Sequence, residues 1–258
     1  MATSLFRSVI FGPVQSRRLG TSLGVNLLPN DNKLCNFNCI YCECGWNTPG
    51  IKPRFNSRET VRTALKDALV RMAAEGKTLD VITFAGNGEP TMHPEFGAVI
   101  DDTIALRDAF MPMAKISVLS NATMIGKDAV RRALLKVDNN ILKLDSAFDE
   151  TVRLIDCPNN PDYSVAGTVE NIKKFDGKFI LQTMFLRGTF GGRTVDNTTE
   201  KEVSAWLELV AGLSPEKVMI YTIDRDTPAD DLHKISLDEL NAIAGRVRAL
   251  GIECSVSG

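Results

Sequence analysis

The sequence predicts an α/β protein built on a parallel sheet. Short apolar, β-branched runs alternate with longer segments of helical period along most of the chain. Strand–helix–strand order implies right-handed crossovers and parallel neighbours. The length of 258 residues, with 44% hydrophobic and 24% charged residues, suits one sizeable core. Six principal strand–helix units are legible, fewer than the eight of a closed barrel. Pattern alone leaves an open doubly wound sheet and a partial barrel as alternatives.

The elements follow in order. A turn-rich lead-in over residues 12–20, with Gly12, Pro13 and Gly20, precedes a first strand at 22–28 that Pro29 stops. Residues 56–76 read as a helix. Asn56 and Glu59 resemble a capping box, Val61, Leu65, Ala68, Leu69 and Met72 form the apolar stripe, and Gly76 ends it. Strands are expected at 80–85, 115–119, 141–145, 178–185 and 217–223. Helices are expected at 95–109, 127–135, 164–175, 199–213 and 237–250, the last capped by Ser236 with Glu239. Residues 252–256 read as a final short strand. The organisation expected is a single domain over 1–258: a lead-in to residue 21, a core over 22–225, and a C-terminal helix and strand over 226–258.

Composition narrows the function classes. A formal net charge of -2 argues against a large, uniformly basic nucleic-acid surface. Four of the six cysteines, three of them in one eight-residue run, lie within residues 35–44, unlike a secreted disulfide framework. Residues 1–13 show no signal peptide, and no apolar run reaches the roughly 18 residues of a membrane span. A soluble, cytoplasmic protein with no membrane partner is expected.

Cys35, Cys39 and Cys42 place three thiols within eight residues, directly after the first strand. Thiolates are soft ligands that suit iron–sulfur clusters and zinc. Zinc on Cys35, Cys39, Cys42 and Cys44 would be cramped, since zinc pairs normally lie apart in the chain. Disulfides would need an oxidising compartment. Gly86, Asn87, Gly88 and Glu89 follow the second strand, as a tight turn or as backbone opened to a ligand. Ser120 and Asn121 end the third strand, where they can cap a helix or meet a ribose. Alternation puts Lys143 and Asp145 on one face of the fourth strand, as a structural ion pair or in a wet cavity. Gln182 interrupts an apolar strand. Tyr221 can stack on a ligand or simply pack. Arg17, Arg18 and Arg225 read as anion clamps or surface ion pairs. His93 and His233 are isolated, and Cys157 and Cys254 read as ordinary buried thiols.

The spacing of Cys35, Cys39 and Cys42, with aromatic Tyr41 before the last, resembles the signature loop of the radical S-adenosylmethionine superfamily. The resemblance implies a partial (β/α)6 barrel of the TIM type. It implies a 4Fe–4S cluster on the three cysteines, with S-adenosylmethionine chelating the open iron. One-electron cleavage would then give a 5′-deoxyadenosyl radical that abstracts hydrogen from a substrate. Gly88 and Glu89 match the end of the family's Gly-Gly-Glu motif, with Asn87 in place of its first glycine. Tyr41, Gly88, Glu89, Ser120, Asn121, Gln182 and Tyr221 are the cofactor-binding residues so expected, and Lys143 and Asp145 the catalytic ones, binding or orienting substrate. The lead-in and the segment from Tyr221 to Arg225 are similar to a branch that groups iron–sulfur oxidoreductases with wyosine-forming tRNA enzymes. Those tRNA enzymes carry additional N-terminal cysteines, and none precedes Cys35 here. The leading expectation is a radical enzyme acting on a small molecule or modest polymer, reduced by a donor such as flavodoxin or ferredoxin. A tRNA-modifying enzyme and a non-enzymatic zinc- or cluster-binding protein are the alternatives.

Overall fold

The computed structural model describes residues 5–16, 18–50 and 52–258. The main sheet runs, in spatial order, β1 (Ile10–Ser16), β2 (Gly20–Val25), β3 (Val81–Phe84), β4 (Lys115–Ser120), β5 (Asn139–Lys143), β6 (Ile180–Met184), β9 (Lys217–Tyr221) and β11 (Glu253–Ser257). Every neighbouring pair from β2 onward is parallel, and β1 alone pairs antiparallel. The sheet curls into a half-barrel with helices outside, as the resemblance implies. The helices are α1 (Arg58–Ala74), α2 (Phe96–Phe110), α3 (Asp128–Leu134), α4 (Asp149–Ile155), α5 (Val165–Lys173), α6 (Glu200–Leu213) and α7 (Leu237–Ala249). A small antiparallel sheet, β10 (Leu232–Lys234), β7 (Leu186–Phe190) and β8 (Arg193–Asp196), lies beside it.

Alternation divides each strand between two environments. Leu23, Val25, Ile82, Phe84, Ile116, Val118, Leu142, Leu181, Val218 and Ile220 join one apolar core, which also takes in the buried stripes of the helices. Inward positions are smaller or more polar: Ser22, Gly24, Thr83, Leu119, Ile141, Gln182 and Met219 border an interior cavity. Leu19, Leu119, Ile141, Ile180 and Met219 form a separate small apolar cluster. A Cβ on Gly24 would lie 2.0 Å from the Phe11 ring, so glycine there lets β1 fold closely over β2.

Some expectations are corrected. The lead-in read as turns contains β1, whose register shifts between Phe11 and Val14; Gly12 and Pro13 at that irregularity hide the strand pattern. Ser57, not Asn56, caps α1 by accepting from the Thr60 amide. Asn56 instead donates to the carbonyls of Asn26 and Leu28, fixing the exit of β2. The hairpin of β7 and β8, with Gly191 and Gly192 at its turn, was not expected, nor was α4. Both are short and carry half-polar sequences that periodicity resolves poorly. The capping box of Ser236 and Glu239 is present. Among the described residues no helix is long and apolar enough to cross a membrane.

Candidate active site

The cysteine loop leaves the carboxyl end of β2 and is tied at once to the exit of β3. The Leu34 amide donates to the Asn87 carbonyl (2.8 Å), and the Glu89 amide to the Leu34 carbonyl (3.2 Å). Gly88 has φ +141°, and a Cβ there would stand 1.8 Å from the Leu34 carbonyl oxygen. Only glycine permits that approach. Asn87, where the family motif has glycine, is wholly buried. Its amide donates to the carbonyls of Pro29 (2.7 Å) and Phe6 (2.9 Å) and its oxygen accepts from the Phe6 amide, so it binds β1's approach to the site.

Within the loop, asparagines take up the irregular backbone. Asn47 donates to the carbonyls of Cys35 and Phe37 (both 3.0 Å) and accepts from the Cys35 amide. Asn159 donates to the Cys35 carbonyl from the segment after α4 (3.1 Å). Asn121 donates to Asn36 Oδ1 (2.8 Å), and its amide nitrogen lies 3.6 Å from Cys35 Sγ. Ser120 Oγ and the Asn121 backbone amide both donate to the buried Glu89 carboxylate, at 2.9 and 2.7 Å, joined by Thr91. Glu89, Ser120 and Asn121 thus lock the ends of β3 and β4 together. Burial pushes the Glu89 carboxyl above its ordinary value, and the hydrogen bonds offset part of that.

Two ammonium groups meet the sulfurs. Lys143 Nζ lies 3.1 Å from Cys39 Sγ and 3.2 Å from Asp145 Oδ2, and also pairs with Asp156. Burial works against its charge, but Asp145 and Asp156 outweigh it and hold its pKa well above the usual lysine value. Asp145 accepts from Tyr41 OH (2.5 Å) and from the Met184 amide (2.9 Å). Lys33 is 5% exposed and donates to the Gly45 carbonyl (2.8 Å). It has no carboxylate partner among the described residues. Burial opposes its charge too, yet the sulfurs of Cys42, Cys35 and Cys39 raise its pKa. Burial pushes the Cys35 thiol up to about 12 and Cys39 well above the ordinary value. A hydrogen bond from Cys44, with help from Lys33, brings Cys42 down to about 5.

These contacts place the expected residues. Lys143 shares the inward face with Ile141, as alternation requires, but it points to Cys39; neither it nor Asp145 borders the open cavity. Gln182 does border it, with Arg18, Glu43, Asp224 and Arg225. Tyr221 sits under the Arg18 guanidinium, 4.5 Å from its ring centre. Arg225 pairs with Glu43 at 2.8 Å on the surface. Arg17 lies outside the described residues. Cys44 Sγ lies 3.3 Å from the Gly86 carbonyl oxygen. Sequence reasoning missed Lys33, Asp156, Asn47 and Asn159. Lys33 alone had a signal, a cation two residues before the first cysteine.

The family's sequence profile, that of the radical SAM superfamily, matches residues 31–201, from the cysteine loop into α6. This chain belongs to the radical SAM superfamily. Superfamily members are enzymes that use a 4Fe–4S cluster and S-adenosylmethionine. A UPF0026 protein of Helicobacter pylori is 30% identical over 235 residues, 90% of this chain and 71% of that one. A Brachyspira hyodysenteriae protein named GTPase Obg is 30% identical over 236 residues, but this chain spans only 32% of its length. A radical SAM methyltransferase of Sphaerobacter thermophilus superposes with a TM-score of 0.68 at 16% identity, covering 92% of this chain and 65% of that one. That likeness is one of fold.

The radical SAM cluster fits the donor set. Lys33 is a buried cation among three thiols, and a buried charge is costly unless countered. Thiolates bound to iron would counter it. Among the described residues no three His, Cys, Asp or Glu groups converge where a single ion could sit. A four-iron cluster puts each thiolate on a different iron and needs no such point.

Proposed function

We propose that this chain is a radical S-adenosylmethionine enzyme acting on a small molecule, with Cys35, Cys39 and Cys42 holding the 4Fe–4S cluster. The observation that carries the reading is Lys33, a buried ammonium whose natural counter-charge is the three sulfurs around it. The cluster supplies one-electron cleavage of S-adenosylmethionine for hydrogen abstraction. The protein's own contribution is electrostatic and structural. Lys33 and Lys143 offset the negative charge of the ligands, and Lys143 donates toward Cys39 Sγ. Asp145 and Asp156 keep Lys143 protonated and aimed, so it serves as a fixed cation rather than a nucleophile. Tyr41 is anchored by Asp145, and Phe37 and Ile40 exclude water from the loop. Gly88, Glu89, Ser120 and Asn121 set the rim where S-adenosylmethionine is to lie, while Gln182 borders the cavity beyond and Tyr221 packs under its Arg18.

The whole chain is read as one domain, supported by β1 and β11 joining the same sheet at its two edges. A net charge of -2 favours a small substrate over tRNA. An acidic flavodoxin- or ferredoxin-type donor is the proposed reductant. Anaerobic purification should give about four irons per chain, and with a low-potential reductant the protein should convert S-adenosylmethionine to 5′-deoxyadenosine and methionine. Cys35→Ala, Cys39→Ala or Cys42→Ala should abolish both results, whereas Cys44→Ala should retain the iron. Stoichiometric zinc without iron would refute the reading.

A further inference from the structure

The half-barrel encloses a cavity of about 480 Å³ whose lining has a definite chemistry. Leu119, Ile141 and Met219 make one part of it apolar. Ser22 and Thr83 also border it, but their hydroxyls are bonded to each other at 2.8 Å. Two lining side chains have polar atoms without hydrogen-bond partners among the described residues. Gln182 is 6% exposed, and its side-chain amide makes no hydrogen bond among the described residues. Arg18 Nη1 is buried and likewise unpartnered. The two nearby carboxylates do not serve it: Glu43 is paired with Arg225, and Asp224 makes a contact of its own. The Tyr221 ring lies under the guanidinium, its centre 4.5 Å from the guanidinium carbon, a cation–π contact that helps hold Arg18 in place.

Buried polar groups in native proteins find partners, and an unsatisfied guanidinium donor is among the costliest to leave. A planar fork of N–H groups matches an oxyanion such as a carboxylate or phosphate. A side-chain amide in the same lining adds an N–H2 donor group and a carbonyl acceptor for orientation. We infer that the substrate is a small molecule bearing an oxyanion group, with that group bound by Arg18 and a neighbouring polar atom bound by Gln182. The inference rests on the proposed radical function for what is done to the molecule, but not for its binding. The volume lies in the range of ordinary small-molecule sites, so a polymer could present no more than one residue or nucleotide to it.

The test uses the anaerobically reconstituted full chain and two probes, sodium acetate and inorganic phosphate, titrated by calorimetry at constant ionic strength against a chloride control. At least one probe should bind saturably to the wild-type protein. Arg18→Gln should weaken that binding at least tenfold, and Gln182→Leu should weaken it less. Preference for acetate would mark a carboxylate substrate, and preference for phosphate a phosphorylated one. Should Arg18→Gln not fold, as read by circular dichroism, Arg18→Lys keeps the charge without the fork and should still lose affinity. Wild-type binding no stronger than chloride, or unchanged binding in the folded Arg18 variant, would overturn the inference. Anion binding without any cleavage of S-adenosylmethionine would instead sink the radical reading and leave this one standing.

Discussion

Lys33 makes a prediction at the scale of a single residue. In protein stripped of iron burial keeps Cys35 and Cys39 protonated, so the buried Lys33 ammonium is countered by the Cys42 thiolate alone. Replacing a buried ion pair by uncharged groups is often neutral or stabilising, by about 1–4 kcal/mol, and without Lys33 the Cys42 thiol can keep its proton. Lys33→Met should therefore raise the melting temperature of the apo protein while lowering the iron retained after anaerobic gel filtration. A fall in both would show that Lys33 serves the fold alone. Glu89 makes a second. Its carboxyl titrates above its unfolded value because of burial, so the folded state holds its proton more tightly. Stability from this group is present below the unfolded pKa, roughly 4.5, and declines as pH rises through the folded value. Urea midpoints of apo Glu89→Gln should fall less than those of wild type between pH 5 and 7.5. The three cluster cysteines were legible because their spacing is local and chemically specific. Lys33's role was not, because a lysine near a cysteine in sequence says nothing of burial. Asp156 was invisible for a different reason: it meets Lys143 only because α4 returns the chain to the end of β5.

At the scale of elements, the site depends on a junction between two chain segments rather than on either alone. The cysteine loop and the exit of β3 are joined through the Gly88–Leu34 bridge. Gly88→Ala adds a methyl group where the Leu34 carbonyl already stands and forces a φ of +141° on a residue that resists it. It should cost about 3 kcal/mol or more, measured by urea unfolding, and should deplete iron even where the barrel still folds. Gly76→Ala, at a position with positive φ but open space around it, is the control and should cost less and leave iron unchanged. The alternation of strands and helices was readable because parallel strands buried outward are nearly continuous apolar runs. β1 escaped because Gly12 and Pro13 interrupt it, and β7 and β8 because they are short and mix polar, partly exposed positions with apolar ones.

For the whole molecule, the loop is held from many directions at once: by β3 through Gly88, by β4 through Asn121, by β5 through Lys143 and by the turn after α4 through Asn159. Loading the cluster should consequently stabilise more than the loop, since whatever binds only the folded state raises its apparent stability. Removing iron with a chelator under anaerobic conditions should lower the melting temperature. It should speed amide exchange over residues 33–48 and 156–160 while the centres of β4 and β5 stay protected. Uniform loss of protection would show instead that the barrel cannot persist without its metal.

The same arrangement sets an order of events during synthesis. The cysteines leave the ribosome near residue 40, but the groups that frame them arrive at Gly88, Asn121, Lys143 and lastly Asp156 and Asn159. For more than a hundred residues of elongation the three thiols have no finished pocket. Iron and sulfide can be held in the native manner only after the fourth parallel strand of the barrel has emerged, so cluster insertion follows folding of most of the chain, and throughout that interval the nascent thiols depend on a reducing environment rather than on the protein for their protection.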